Sequence, residues 1–203
     1  IRIEEKMDNK SIILGRIRKN KPSEKLPIDH AQFLKDHSEK DMLADFCAHL
    51  EDNDGSWLMP DKSASLTDLL TKEVENKSFV DLCSLVKAEK GMDVSKVNHP
   101  RELAHVKVLI VRGKLGVAEN AAIWVEDEMI QNVRVLPFIV ERTIIILQKS
   151  DIVASMHQAY QKLANVNTGF GTFIAGPSKT GDIEQNLVIG AHGALSHLVV
   201  LVD

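Results

Sequence analysis

Ser178, Lys179, Thr180, Asp182, Glu184 and His192 crowd into one short stretch near the end of the chain, between Gly176 and Gly193. Hydroxyls, one cation, carboxylates and an imidazole set between glycines suit binding of an anion or a carbonyl. Gly176 and Pro177 stop a strand and turn the chain. A glycine at such a turn accepts positive φ and lets a ligand approach the backbone closely. Ser178 and Thr180 offer donors, Lys179 a charge expected to be exposed, and a helix starting after the turn would direct its free amides outward. The same residues also suit a plain capped helix, with Ser178 or Thr180 as N-cap and Asp182 in the first turn. The spacing is neither that of a Walker loop nor that of a dinucleotide fingerprint.

The run Gly176-Pro177-Ser178-Lys179-Thr180-Gly181-Asp182-Ile183-Glu184, followed by Gly190-Ala191-His192-Gly193 and a last apolar strand, resembles the signature of the LUD (lactate utilisation) domain family. Members usually read Gly-Pro-Ser-Arg-Thr-Ala-Asp-Ile-Glu and then Gly-x-His-Gly. The departures are Lys179 and Gly181. Lysine keeps the charge of the family's arginine but loses its planar, two-pronged hydrogen bonding.

A second stretch resembles the family more loosely. Gly113 to Ala122 stands where members read Gly-x-Ala-Glu-Thr-Gly-Thr before a strand; Gly116, Ala118 and Glu119 match, whereas Asn120, Ala121 and Ala122 replace Thr-Gly-Thr. Many members also carry a histidine soon after a Leu-Pro pair; here Leu136-Pro137 is followed by Phe138. The resemblance implies a ligand site made of Gly116, Glu119, Asn120, Gly176, Ser178, Lys179, Thr180, Asp182, Glu184, Gly190 and His192. Glu119, Asp182 and His192 are its candidates for proton exchange, and no metal ligand is expected.

The elements that must position these residues are legible in outline. His105–Arg112, Ile123–Glu126, Thr143–Gln148, Thr172–Ala175 and Leu198–Val202 are dense in apolar and β-branched residues and read as buried strands. Ser56–Met59 and Phe79–Val86 read as further strands. Helices are expected at Ile3–Asn20, Asp29–Glu51, Leu66–Val74 behind a Ser65 cap, and Ile152–Leu163 behind Ser150-Asp151. Strands alternating with helices argue for α/β architecture with a mainly parallel sheet. In such sheets ligands gather beyond the carboxyl ends of strands, where the Glu119 and Ser178 loops are expected to meet. By resemblance the fold is a three-layer α/β domain of the NagB/RpiA/CoA-transferase-like kind with an N-terminal helical extension. Residues 1–27 form that helix and a linker containing Pro22 and Pro27; 28–203 form the LUD domain.

Composition narrows the function. The 203 residues are 44% hydrophobic and 27% charged with a net charge of −4, which fits a globular protein and disfavours nucleic-acid binding. No run approaches the ~20 apolar residues of a membrane helix, so a cytoplasmic protein is expected. Cys47 and Cys83 are too few to hold an iron–sulfur cluster, and His30, His37 and His49 lack metal spacing. Within the family this absence resembles the LutC/YkgG-like members rather than the cysteine-rich LutB-like ones. The resemblance implies a subunit of a system oxidising L-lactate to pyruvate, with iron–sulfur clusters held only by LutA-like and LutB-like partners and no cofactor in this chain. Such a subunit is expected to bind a small anion or cofactor, or to organise a complex, rather than to act as an enzyme alone, and whether it has activity of its own is left open by the sequence. The alternative is a free-standing isomerase or CoA-transferase-like enzyme acting on a sugar phosphate or acyl-CoA, with Glu119 as base or acyl acceptor.

Overall fold

Five strands define the centre, β1 (Ser56–Leu58), β2 (Phe79–Asp81), β3 (Val108–Arg112), β6 (Arg142–Gln148) and β11 (Ser196–Val202), the last three apolar on both faces. They pair in the order β1-β11-β6-β3-β2, and every pair is parallel. The computed structural model describes residues 9–21, 39–61, 65–86, 91–164, 166, 169–181 and 187–203. Parallel strands buried on both faces must be covered on both faces. Even-numbered side chains (Val108, Ile110, Ile144, Ile146, Leu198, Val200) pack with Leu70 and Val74 at helix α3 (Leu66–Glu73). Odd-numbered ones (Leu109, Val111, Ile145, Leu147, Val199, Leu201) pack with Phe46 and Leu50 of helix α2 (Glu39–Asp52) and with Ile123 and Val125. The mainly parallel sheet read from the sequence is thus present.

Ile123 and Val125 belong to a second sheet that the sequence does not announce. It has four strands in the order β7-β4-β5-β8: β7 (Ile152–Val153), β4 (Leu115–Val117), β5 (Ala122–Glu126) and β8 (Gly171–Ile174). The strands expected at 123–126 and 172–175 are therefore partners of each other, antiparallel, not members of the parallel sheet. Connection length is the reason. A parallel crossover needs about a dozen residues or more, and the short link between β4 and β5 permits only a hairpin.

Local chemistry corrects other boundaries. The strand expected over Phe79–Val86 ends at Asp81, whose carboxylate accepts hydrogen bonds from the amides of Cys83, Leu85 and Val86 and turns the chain. The helix expected from Ile152 begins four residues later, as α5 (Met156–Leu163). Ser155, not Ser150-Asp151, is its N-cap, accepting from the Gln158 amide, because β-branched Ile152 and Val153 pair with Gly116 and Val117 instead. Ser65 caps α3 as expected, accepting from the Asp68 amide. A short helix, α4 (Leu136–Ile139), contains Pro137 in its first turn.

The chain divides into two compact units, Ile1–Gln32 and Phe33–Asp203. The first contains helix α1 (Asn9–Lys19), with Arg16, Arg18 and Lys19 in its last turn, where cations complement the helix dipole. The remainder of the helix expected from Ile3, the linker prolines, the first part of the helix expected from Asp29, His30 and His37 lie outside the described residues.

Candidate functional site

The closing motif folds as a hairpin. Strand β9 (Lys179–Thr180) pairs antiparallel with β10 (Val188–Ile189), Lys179 opposite Ile189 and Thr180 opposite Val188. The helix expected to start at Ser178 or Thr180 is therefore not formed there, and neither residue is an N-cap. Two-residue strands rich in β-branched side chains pair across the loop instead. Asp182, Ile183 and Glu184 lie outside the described residues.

Backbone contacts then stitch the two halves of the motif together. The Ser178 amide donates to the Ala194 carbonyl at 2.8 Å, and the Gly190 amide donates to the Ser178 carbonyl at 2.9 Å. Gly176 is buried with φ +81°, and a Cβ there would sit 2.4 Å from the Asn53 carbonyl oxygen, so only glycine fits. A cavity of about 310 Å³ opens between these segments, within the range of small-molecule sites. Ser178, Lys179, His192 and Gly193 line it from the motif, Pro137 and Phe138 from α4, and Thr143 from β6. Phe138, which follows the Leu136-Pro137 pair, thus forms part of the wall.

Within the parallel sheet this cavity lies at the amino ends of β6 and β11, not beyond the carboxyl ends; its other side is the carboxyl end of β8, where Phe173, Ile174 and Ala175 line it. The motif precedes the last strand of a parallel sheet, so its loops are delivered to that strand's beginning. Thr143 and Ala194 mark the position.

Lys179 differs from expectation. Its side chain is 24% exposed, and Nζ lies 2.7 Å from Asp54 Oδ2. Asp54 sits in the turn after α2 with φ +57°, a conformation that aspartate tolerates better than most residues. The cation is therefore held in place before any ligand arrives. His192 is exposed and also lines a neighbouring cavity of about 650 Å³ with Arg101, Phe138 and Gly190.

The Gly113–Ala122 stretch has a different fate. Among the described residues, none from it lines the motif cavity. Gly116 is buried in β4 between β5 and β7. The Glu119 carboxylate accepts from the Met156 amide at 2.9 Å, at the first turn of α5, where a negative charge is favoured. Asn120 Oδ1 accepts from the Ala122 amide, and its carbonyl accepts from Asn53 Nδ2 at 3.0 Å. Ala121 takes a positive φ of 54°. The two stretches nevertheless approach one turn: Asn53 touches both the Asn120 carbonyl and Gly176, and Asp54 touches Lys179.

Sequence reading missed one pair. Thr143 and His197 face each other across β6 and β11, with Thr143 Oγ1 2.6 Å from His197 Nδ1. His197 is 2% exposed, and burial pushes its pKa down to about 4, so the ring is neutral. The available signal was two polar residues at the first inward positions of otherwise apolar strands. Among the described residues no group of three or more His, Cys, Asp or Glu side chains could hold a metal. Cys47 and Cys83 are free thiols, both with pKa raised mainly by burial.

Comparison with known proteins agrees with this architecture. The family model for the LUD domain matches residues 32–202. A lactate utilization protein C of an Exiguobacterium species is 35% identical over 117 residues, 54% of this chain and 50% of that protein. A lactate utilization protein C of Bacillus pumilus is 34% identical over 93 residues, 43% of this chain and 38% of that protein. The matched stretches thus span half or less of these relatives' lengths. A crystal structure of a DUF162 family protein from Deinococcus radiodurans superposes with a TM-score of 0.66 at 15% identity, covering 83% of this chain and all of that one. That likeness establishes a shared fold. With the family model covering nearly all of the second unit and the glycine-bounded motif closed around a cavity, the chain belongs to the LUD domain family.

Proposed function

We propose that this protein is a LutC-like component of an L-lactate utilisation system and that the motif cavity binds a small carboxylate or another compact anion. The observation that carries the reading is Lys179, a cation anchored by Asp54 at the wall of a cavity built from the family's own motif. The relatives named lactate utilization protein C give the anion its context. Ser178 adds a hydroxyl and Gly193 a backbone that approaches closely, and His192 stands at the rim as a proton donor or acceptor. In this reading the chain binds and organises, in the cytoplasm, while iron–sulfur partners of the LutA-like and LutB-like kinds carry the electrons.

The isomerase or CoA-transferase reading is weaker. Its acyl acceptor would be Glu119, whose carboxylate is engaged by the start of α5 and lines no part of the motif cavity.

Two measurements test the proposal. Deleting the gene should abolish growth on L-lactate; wild-type protein should restore growth and Lys179→Ala should not. Titration calorimetry should show L-lactate, pyruvate or inorganic phosphate binding to wild type and lost in Lys179→Ala. Normal growth of the deletion strain on L-lactate would remove the lactate assignment. Equal affinity in the variant would remove Lys179 from the site.

A further inference from the structure

The floor of the motif cavity holds a side chain that no motif announces. Thr143 is the second residue of β6, lies directly opposite His197 of β11, and lines the cavity from the central sheet. Among the described residues its hydroxyl has one hydrogen-bond partner, Nδ1 of His197. The other ring nitrogen, Nε2, is buried without a hydrogen-bond partner among the described residues.

That orphan decides which way the Thr143 hydroxyl works. A neutral imidazole carries one proton, on Nδ1 or on Nε2. A proton on Nε2 would bury an N–H with no acceptor, and orphaned buried donors are rarer than under-satisfied acceptors. The proton therefore belongs on Nδ1, where it is donated to Thr143 Oγ1. Thr143 Oγ1 then spends a lone pair on the imidazole and keeps its own proton available to the cavity it lines. With the opposite tautomer the hydroxyl would donate to Nδ1 and present only lone pairs to the cavity, which would repel an anion.

We infer that Thr143 is a further ligand-binding residue of the motif cavity, donating its hydroxyl proton to the bound anion, and that His197 is the positioning residue that fixes it as a donor. This rests on the anion-binding reading above and deepens it, because the bound group must reach the sheet as well as Lys179. A ligand with two acceptor oxygens on one centre, such as a carboxylate or a phosphate, meets that requirement.

The test uses the full chain with inorganic phosphate and L-lactate as probes. Thr143→Val keeps the shape and removes the hydroxyl. It should weaken whichever probe wild type binds by about tenfold or more, the loss expected for a hydrogen bond to a charged group. Thr143→Ser should restore binding, as should His197→Asn, whose amide can replace the Nδ1–H. Nitrogen-15 shifts of the His197 ring should report the Nδ1–H tautomer, a readout that a merely structural strand contact would not fix. Unchanged or tighter binding in a folded Thr143→Val variant would overturn the inference, and so would an Nε2–H tautomer. Failure of wild type to bind either probe would overturn the anion-binding reading itself, and this one with it. Loss in Lys179→Ala without loss in Thr143→Val would overturn this one alone.

Discussion

The two glycine-bearing stretches that resemble family motifs, 113–122 and 169–203, have opposite fates. In the first, the polar groups that looked chemical are taken up by the protein: Glu119 by the amide of Met156, Asn120 by the amide of Ala122 and by Asn53. In the second, the chain closes on itself through backbone bonds at Ser178, leaving Ser178, His192 and the Asp54-paired Lys179 lining a cavity. The lesson is that a motif's polar side chains stay open to a cavity where backbone groups satisfy the backbone. Where side chains must do that work, as at the start of α5, little is left for a ligand.

The sharpest way to test this contrast is at the backbone of the second stretch. Gly176→Ala forces a side chain into a positive-φ position against a carbonyl oxygen that cannot step aside. It should cost roughly 2–6 kcal/mol, adding backbone strain to overpacking, read as a lower denaturation midpoint. A loss below ~1 kcal/mol would show that the turn against Asn53 is soft, and the cavity would lose its rigid wall.

Next in size is the acid sensitivity of the cavity floor. The unfolded chain protonates His197 near 6.5, whereas the folded protein keeps it neutral down to about 4. Between these values the unfolded state binds more protons, so stability is full above pH 6.5 and falls as pH drops toward 4. The loss should be on the order of 3 kcal/mol and should be absent from His197→Asn, measured as urea midpoints from pH 7 to 4. Parallel pH curves for the two proteins would mean that the ring is not held neutral.

Glu119→Ala probes the first stretch. It should cost about 1 kcal/mol, the usual worth of a helix-start contact, while leaving affinity for the anion unchanged. Loss of affinity with unchanged stability would reverse the comparison and return Glu119 to the site. The smallest effect is expected at Ala121→Gly. Relief of the positive φ, about 1–2 kcal/mol, is offset by the lost buried methyl and by added freedom of the unfolded chain, leaving a net change under ~1 kcal/mol.

Several features were legible from residues alone. The apolar runs of β3, β6 and β11 required burial on both faces, and no tertiary information was needed to see that their sheet is mainly parallel. The closing motif was visible through its resemblance to the family signature, and two of its glycines, Gly176 and Gly190, take the positive φ that glycine accepts best. Lys179 was visible as a cation, but its fixing by Asp54 was not, since the partner comes from a turn more than a hundred residues away. Thr143, at the start of one expected strand, and His197, just before another, lie 54 residues apart in sequence, and only parallel pairing sets them face to face.

Residue order determined which groups are available: the motif's hydroxyls and cation, and the buried strands. Only the fold decided which of them meet. It laid the motif at the amino ends of β6 and β11, gave Glu119 to a helix start, and put a neutral histidine beneath the cavity. The physical reason is that identity, turn preference and burial pattern are local properties of a chain. Strand order and side-chain partnership depend on connections whose ends the sequence does not mark.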